Sequence, residues 1–282
     1  MSHFSTDPTN RRIGIFDSGV GGLTVMRAVI DALPAEDLLY LGDTARVPYG
    51  NRGAHTIRRY ALNAARLLWS HDIKALVVAC NTASAYALQA LREELDIPVF
   101  GVIQPAALEA ARVSRTQSVA VLGTRGTVRS QSYQQALVNL VPSLGVYPVA
   151  CPLLVPLAEE GWTDGEVTTT VIAHYLEPLS ETDVDTLILG CTHYPLLRDA
   201  IEAVARRVLG EEVQLIDSAN TTAAAVKDAL GAAGVLRPGN STPGIHRFFL
   251  TDLPEGFIDT AERFFGRSLD GSCEHVDIVA TG

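Results

Sequence analysis

The sequence predicts an α/β protein of two similar domains, each a mainly parallel sheet flanked by helices, with the active site in the crevice between them. Three observations carry this prediction. Short apolar runs alternate with helical stretches, the pattern of βαβ units. The pattern restarts part-way along the chain. Two cysteines, Cys80 and Cys191, stand at matching places in the two halves.

In order along the chain, the first strand is Ile13-Gly-Ile-Phe16, followed by the glycine-rich turn Asp17-Ser-Gly-Val-Gly-Gly22 and a helix to about Leu33. Leu38-Leu-Tyr-Leu41 is a second strand ending at Gly42-Asp43, and a loop carries Pro48-Tyr49-Gly50. A long amphipathic helix spans about His55 to Ser70. The apolar run Ala75-Leu-Val-Val-Ala79 delivers Cys80 at its carboxyl end, and a helix follows over Ala83 to Leu95. Val99 to Val102 is a further short strand.

The second half begins at Ser118-Val-Ala-Val-Leu122, continues through Gly145 to Ala150, and reaches Thr186-Leu-Ile-Leu-Gly190 before Cys191. Asp17 matches Gly123, Asp43 matches Cys151 and Cys80 matches Cys191, at offsets of 106, 108 and 111 residues. Three similar offsets in order point to an internal duplication, although any two α/β units share some strand chemistry. A helix and the strand Val213 to Ile216 close this half, with a helix over Asn220 to Leu230 beyond it. The tail supplies a strand at Arg247 to Thr251, a helix near Pro254 to Phe265 and a last strand near His275 to Val279. The expected organisation is a disordered tail over 1–12, a discontinuous first domain of 13–105 plus 217–282, and a second domain of 106–216.

At 282 residues, 47% hydrophobic and 19% charged, the chain can bury a sizeable core. A net charge of -10 argues against a nucleic-acid partner but leaves room for a small anionic substrate. No apolar run reaches transmembrane length, so no membrane partner is expected. The polar start shows no signal-peptide pattern. Four cysteines in so long a chain do not make a disulfide framework, and a reducing cytoplasm is the expected location. The oligomeric state is not legible, and a homodimer remains an open expectation.

Each of Cys80 and Cys191 ends a buried strand, where open α/β sheets bind ligands. Each also precedes a predicted helix start, whose unpaired N–H groups favour a thiolate. Buried cysteines are usually inert, but two at repeat-related positions favour function. Two thiols facing one pocket suggest that one takes a proton from a carbon and the other returns it to the opposite face. Cys151, beside Pro152, and Cys273, in the tail, read as structural.

His193 follows Cys191 by two residues and is a candidate acid, base or thiolate partner, or a plain helix cap. Asp17 is expected to reach the same crevice from the end of the first strand, unless it only caps the next helix. Glu159 or Glu160, in the loop matching Pro48-Tyr49-Gly50, is a weaker candidate.

A metal site is disfavoured because no CxxC or HExxH pattern accompanies Cys191-Thr-His193. Gly19-Val-Gly21-Gly22 lacks the third glycine of a dinucleotide fingerprint, yet it opens a helix after a strand and Asp43 ends the next strand. A nicotinamide enzyme therefore stands as a rival that leaves the paired cysteines unexplained. Lys74 and Lys227 are the only lysines, and neither is placed to form a Schiff base with pyridoxal phosphate. No cofactor is expected.

The chain resembles the glutamate racemases of the cofactor-independent aspartate/glutamate racemase superfamily. The resemblance rests on Ile15-Phe-Asp-Ser-Gly-Val-Gly-Gly-Leu-Thr24, Gly42-Asp-Thr-Ala-Arg46 with Pro48-Tyr-Gly50, Ala79-Cys-Asn-Thr-Ala83, Gly123-Thr124 with Thr127, and Leu189-Gly-Cys-Thr-His-Tyr-Pro195. It runs from about Ile13 into the tail. It implies a small-molecule substrate, L- or D-glutamate. Cys80 and Cys191 would be the acid/base catalysts, the first serving D-glutamate and the second L-glutamate, assisted by Asp17, His193 and Glu159. Asp17, Ser18, Tyr49, Gly50, Asn81, Thr82, Thr124, Thr192 and His193 would hold the substrate. It also implies a role in supplying D-glutamate for bacterial peptidoglycan.

Overall fold

A computed structural model describes residues 7–238, 242–269 and 273–278 of the chain. Strands β1 (Arg12–Asp17), β2 (Leu38–Gly42), β3 (Ile73–Val78) and β4 (Val99–Gly101) belong to one sheet. Helices α1 (Leu23–Ala32), α2 (Ala54–Trp69), α3 (Asn81–Glu94) and α4 (Ile103–Val113) connect them and lead onward. The second sheet holds β5 (Ser118–Gly123), β6 (Gly145–Ala150), β7 (Thr186–Gly190) and β8 (Gln214–Asp217). Between these run α5 (Arg125–Ser130), α6 (Ser132–Leu140), α7 (Leu154–Glu159), α8 (Gly165–Leu176) and α9 (Arg198–Leu209). Helix α10 (Ser218–Ala232), strand β9 (His246–Leu250), helix α11 (Phe257–Phe265) and strand β10 (Cys273–His275) complete the described chain.

Every strand pair is parallel. The first sheet has the order β10-β9-β2-β1-β3-β4 and the second β6-β5-β7-β8. The unit β2-β1-β3-β4 thus has the same strand order as β6-β5-β7-β8, with β1 corresponding to β5 and β3 to β7. The tail adds β9 and β10 to the β2 edge of the first sheet. Of the last predicted strand, His275 belongs to β10 and Val279 lies outside the described residues.

The central strands β1, β2, β3, β5 and β7 are buried along almost their whole length, which explains their unbroken apolar runs. Strand β6 is only half-buried and contains Pro148, which an edge strand tolerates because one side of its backbone needs no partner. Consequently both cysteine-bearing strands, β3 and β7, lie inside their sheets, between partners on either side.

The polar start departs from the expected disordered tail. Residues 1–6 lie outside the described residues, but the chain joins the fold at Asp7. Its carboxylate accepts the Thr9 N–H at 2.9 Å and caps a short 3-10 turn over Pro8–Asn10. Arg12 is already in β1, and Arg11 pairs with Asp72 at 3.2 Å. Local capping and an ion pair tie down a segment that has no apolar core of its own.

Lys74 sits 2.6 Å from Glu36 and donates to the Val235 carbonyl at 2.8 Å. The residue closing this end of the sheet is therefore engaged in a buried ion pair, away from the carboxyl ends of the strands. No helix among the described residues is long and apolar enough to cross a membrane.

Candidate active site

The carboxyl ends of β1, β3, β5 and β7 open on one cavity of about 430 Å³. Both Cys80 and Cys191 line it. From the first half, Ser18, Tyr49, Gly50, Asn81 and Thr82 also line it; from the second, Thr124, Glu159, Thr192 and His193. Asp17 is fully buried and does not line the cavity, which its neighbour Ser18 does. Cys151 and Cys273 are absent from the lining; Cys151 is buried with its thiol directed to the Val149 carbonyl at 3.5 Å.

Cys80 is the N-cap of α3, and its Sγ accepts the Ala83 N–H at 3.4 Å. The Ser18 hydroxyl lies 3.4 Å from the same sulfur. Burial pushes the Cys80 thiol up to about 12, and the neighbouring Asp17 charge adds to the effect. Cys80 is thus held as a proton-bearing thiol unless a cation enters beside it. Burial also raises the Asp17 carboxyl, against the opposing pull of the His193 charge and of backbone N–H groups including Gly19. Asp17 Oδ2 accepts the Gly19 N–H at 2.8 Å, while Oδ1 is buried with no hydrogen-bond partner among the described residues.

The Cys191 side is built differently. The sequence predicts a helix start directly after this thiol, but the chain instead makes a short 3-10 turn over Tyr194–Leu197, and α9 begins only at Arg198. Pro195 occupies the first turn, where its missing N–H costs nothing. The polar neighbour of this thiol is a histidine side chain rather than the N-terminus of a long helix. Cys191 Sγ lies 3.8 Å from His193 Nδ1, and His193 Nε2 lies 3.0 Å from Glu159 Oε1. Burial alone would lower the His193 imidazole, but its hydrogen bonds to Cys191 and Glu159 outweigh burial and push it up to about 10. The arrangement thus favours the protonated imidazole beside Cys191, with Glu159 behind it. Geometry also separates the two acids: Glu159 meets His193, whereas Glu160 is the C-cap of α7 and does not line this cavity.

Hydrogen-bonding groups ring the rest of the cavity. The Tyr133 hydroxyl donates to Asn81 Oδ1 at 2.7 Å, which fixes the amide and leaves the buried Nδ2 donor without a partner among the described residues. Such a donor is costly unless a ligand oxygen meets it. The Thr82 hydroxyl lies 3.0 Å from that of Thr124 and 3.1 Å from that of Thr127, bridging the two halves. The Tyr49 phenol is committed elsewhere, donating to Asp43 Oδ2 at 2.6 Å, so only other atoms of Tyr49 can serve a ligand.

The same contacts bear on the dinucleotide rival. Asp43, the expected ribose acid, is fully buried and holds Tyr49, Arg46 at 2.7 Å and Thr251 at 3.0 Å. The glycine turn is also filled: a Cβ at Gly21 would lie 2.6 Å from His193 Nδ1 and overlap the Thr192 hydroxyl. Gly21 thus allows the two halves to approach each other, while Gly19 and Gly22 face Val47 and Asp17 of their own half, which leaves no cradle for a pyrophosphate.

Residues 13–227 match the family model described as Asp/Glu/Hydantoin racemase. The chain belongs to the Asp/Glu/Hydantoin racemase family. Glutamate racemase from Geobacter metallireducens is 54% identical over 259 residues, covering 92% of this chain and 94% of that protein. The crystal structure of glutamate racemase isoform RacE1 from Bacillus anthracis superposes with a TM-score of 0.89 at 42% identity, covering 95% of this chain and 98% of the other. That of the Francisella tularensis glutamate racemase in complex with D-glutamate gives 0.88 at 34% identity, covering 96% and 98%.

Within this racemase fold, sequence reasoning missed Arg125, a cavity-lining cation at the start of α5, and the apolar wall of Leu153, Val155 and Pro156. Arg125 lies inside the motif of Gly123-Thr124 with Thr127 but is not one of its residues, and Leu153, Val155 and Pro156 sit in no motif, so only the fold brings them to the thiols. The close approach at Gly21 gives a test. Gly21→Ala is expected to lower kcat/KM for the family's reaction by about tenfold or more, because the added methyl displaces His193 and Thr192. Steady-state kinetics with a thermal melt check this; wild-type kinetics would contradict it.

Proposed function

We propose that the enzyme is a glutamate racemase that interconverts L- and D-glutamate by proton transfer between two cysteines, without a cofactor. The carrying observation is that two thiols, at corresponding strand ends of two like-ordered sheets, line one cavity. The names of its relatives support glutamate as the substrate, including the relative whose crystal structure contains D-glutamate.

Cys191, beside the His193 cation, takes the α-hydrogen of L-glutamate as a proton. The electron pair left on the carbon delocalises into the α-carboxylate. The Cys80 thiol then gives its proton to the opposite face, leaving D-glutamate, a protonated Cys191 and a Cys80 thiolate; after product release, proton exchange with solvent restores the Cys191 thiolate and the Cys80 thiol. The reverse reaction runs through the same steps with the two cysteines exchanged. The Asp17 carboxylate opposes a Cys80 thiolate, so the substrate ammonium entering beside the thiol is the charge that would offset both. Asn81 Nδ2, the hydroxyls of Thr82 and Thr124 and the first N–H groups of α3 receive carboxylate oxygens and the negative charge that develops. Glu159 holds His193 in line. In the cell, the product would supply D-glutamate for peptidoglycan, from the cytoplasm.

The test is incubation with L-glutamate alone, after dialysis against chelator in the presence of reductant, followed by chiral chromatography. D-glutamate should accumulate towards an equal mixture, and L-aspartate under the same conditions should give far less product. Absence of D-glutamate, or its appearance only when zinc, NAD or pyridoxal phosphate is restored, would overturn the reading.

A further inference from the structure

Helix α11 carries no motif, yet it is the element of the tail that reaches across to the Cys191 side. It is bounded by Gly256 and Gly266, both with positive φ, and buries Phe257, Ala261, Phe264 and Phe265 on one face. Two of its residues meet the His193–Glu159 pair without lining the cavity that holds the thiols. The Phe264 ring stands edge-on to the His193 imidazole, with centroids 4.9 Å apart and planes at 73°. Arg263 Nη1 donates to the Glu159 carbonyl at 2.7 Å.

The second contact answers a specific need. Helix α7 ends in a Schellman motif: the Gly161 N–H reaches the Ala158 carbonyl at 3.2 Å, and the Trp162 N–H reaches Leu157 at 2.8 Å. Gly161 adopts φ +74. That closure leaves the Glu159 carbonyl among the unpaired acceptors of the helix end. Arg263 supplies the donor. Its guanidinium lies so close over Gly161 that a Cβ there would sit 2.9 Å from it. Glycine at 161 thus serves both the turn and the approach of Arg263.

We propose that α11 is a positioning element for the Cys191 side: Arg263 fixes the end of α7 that carries Glu159, and Phe264 fixes the plane of the His193 ring. Neither is a catalytic residue, since neither touches the cavity. The proposal rests on the roles given above to Cys191 and His193. It makes one part of the tail, remote in sequence from both cysteines, a determinant of how well His193 serves its thiol.

The test uses the full-length enzyme with Arg263→Ala, Arg263→Lys, Phe264→Leu and, as a control, Phe265→Leu. Phe265 is buried on the same helix but packs on Phe248, with centroids 5.4 Å apart, rather than on His193. Two quantities are read. One is kcat and KM for glutamate in each direction; the other is the titration of the His193 imidazole by NMR, assigned by its absence in His193→Asn. The charged and titrating groups around that ring are Cys191, Glu159 and Asp17, with the Arg263 guanidinium beyond Glu159.

Arg263→Ala and Phe264→Leu should lower L-to-D kcat by about tenfold, the effect of a lost orienting contact. The D-to-L value should fall less, with KM changing so that the two kcat/KM values stay equal. Arg263→Ala should also lower the His193 pKa, because Glu159 drifts from the ring. Mere loss of a nearby positive charge would raise it, so the sign separates positioning from a through-space charge effect. Arg263→Lys should recover most of both quantities, and Phe265→Leu should leave the ratio of the two kcat values unchanged.

Wild-type titration and kcat ratio in both Arg263→Ala and Phe264→Leu would overturn the proposal. So would an equal change in Phe265→Leu. If the wild-type enzyme does not racemise glutamate but the His193 titration shifts as described, the positioning role stands and the substrate reading falls.

Discussion

Cys80→Ser and Cys191→Ser should each lose about a hundred- to ten-thousand-fold in racemisation, the range contributed by a positioned acid or base. A serine hydroxyl fits either site but is far less acidic than a thiol, so it neither takes nor gives the α-proton at a useful rate. The two losses should be similar in kcat/KM, because every turnover in either direction uses both sulfurs. Cys151 and Cys273 provide the comparison. Cys151 is buried against its own strand end and Cys273 lies in β10, so their serine variants should turn over at close to the wild-type rate. Polarimetry or coupled assays in both directions measure all four. Near-normal turnover by Cys80→Ser or Cys191→Ser would remove that residue from the mechanism.

The next largest effects should come from the groups behind the thiols. His193→Asn removes the cation beside Cys191, and Asp17→Asn removes the acid behind Cys80. His193→Asn should depress L-to-D kcat more, and Asp17→Asn D-to-L kcat more, each by about tenfold or greater. Because L- and D-glutamate are equally stable, each variant must keep its two kcat/KM values equal, so the asymmetry appears in kcat and KM separately. If both variants keep wild-type kcat in both directions, the helper roles fall.

His193 also predicts a pH signature in stability. Its folded value near 10 lies above the ordinary histidine value of 6.5. The protonated pair therefore stabilises the fold fully below about pH 6.5, and this contribution is lost as pH rises through about 10. Denaturant midpoints of wild type and His193→Asn should converge across that window. Cys80 also loses stabilisation at high pH, but it does so in both proteins, so the difference isolates His193.

Much of this site could be read in the sequence because strand-end chemistry is local. An apolar run followed by Cys80-Asn81-Thr82 or Cys191-Thr192-His193 places a thiol and its neighbours at a sheet's carboxyl edge without further information. The same order of strands in two halves then turns two such edges towards one crevice. What could not be read depends on tertiary contact. Nothing local distinguishes Glu159 from Glu160; only the direction in which α7 ends does so. Asp17 reads as a crevice residue, yet it is fully buried and Ser18, next to it in the chain, lines the cavity instead. Tyr49 lines the cavity, but its phenol is held by Asp43, which the sequence does not show. The helix expected after Cys191 is replaced by a 3-10 turn over Tyr194–Leu197, and His193 lies beside the thiol instead. Asp7 to Arg12 looks like a polar tail because its order comes from Asp72 and β1 rather than from apolar residues.

The central claim is that one sulfur removes the α-hydrogen and the other delivers its own proton to the opposite face. Isotope transfer in D2O tests it most directly. L-glutamate is converted to low extent, the enantiomers are separated, and deuterium at the α-carbon is measured by mass spectrometry. The delivering thiol equilibrates with solvent before reaction, so D-glutamate formed early should carry deuterium while recovered L-glutamate carries almost none. Product that largely retains protium, or recovered L-glutamate that gains deuterium as fast as product forms, would show a single base serving both faces and would contradict the two-thiol account.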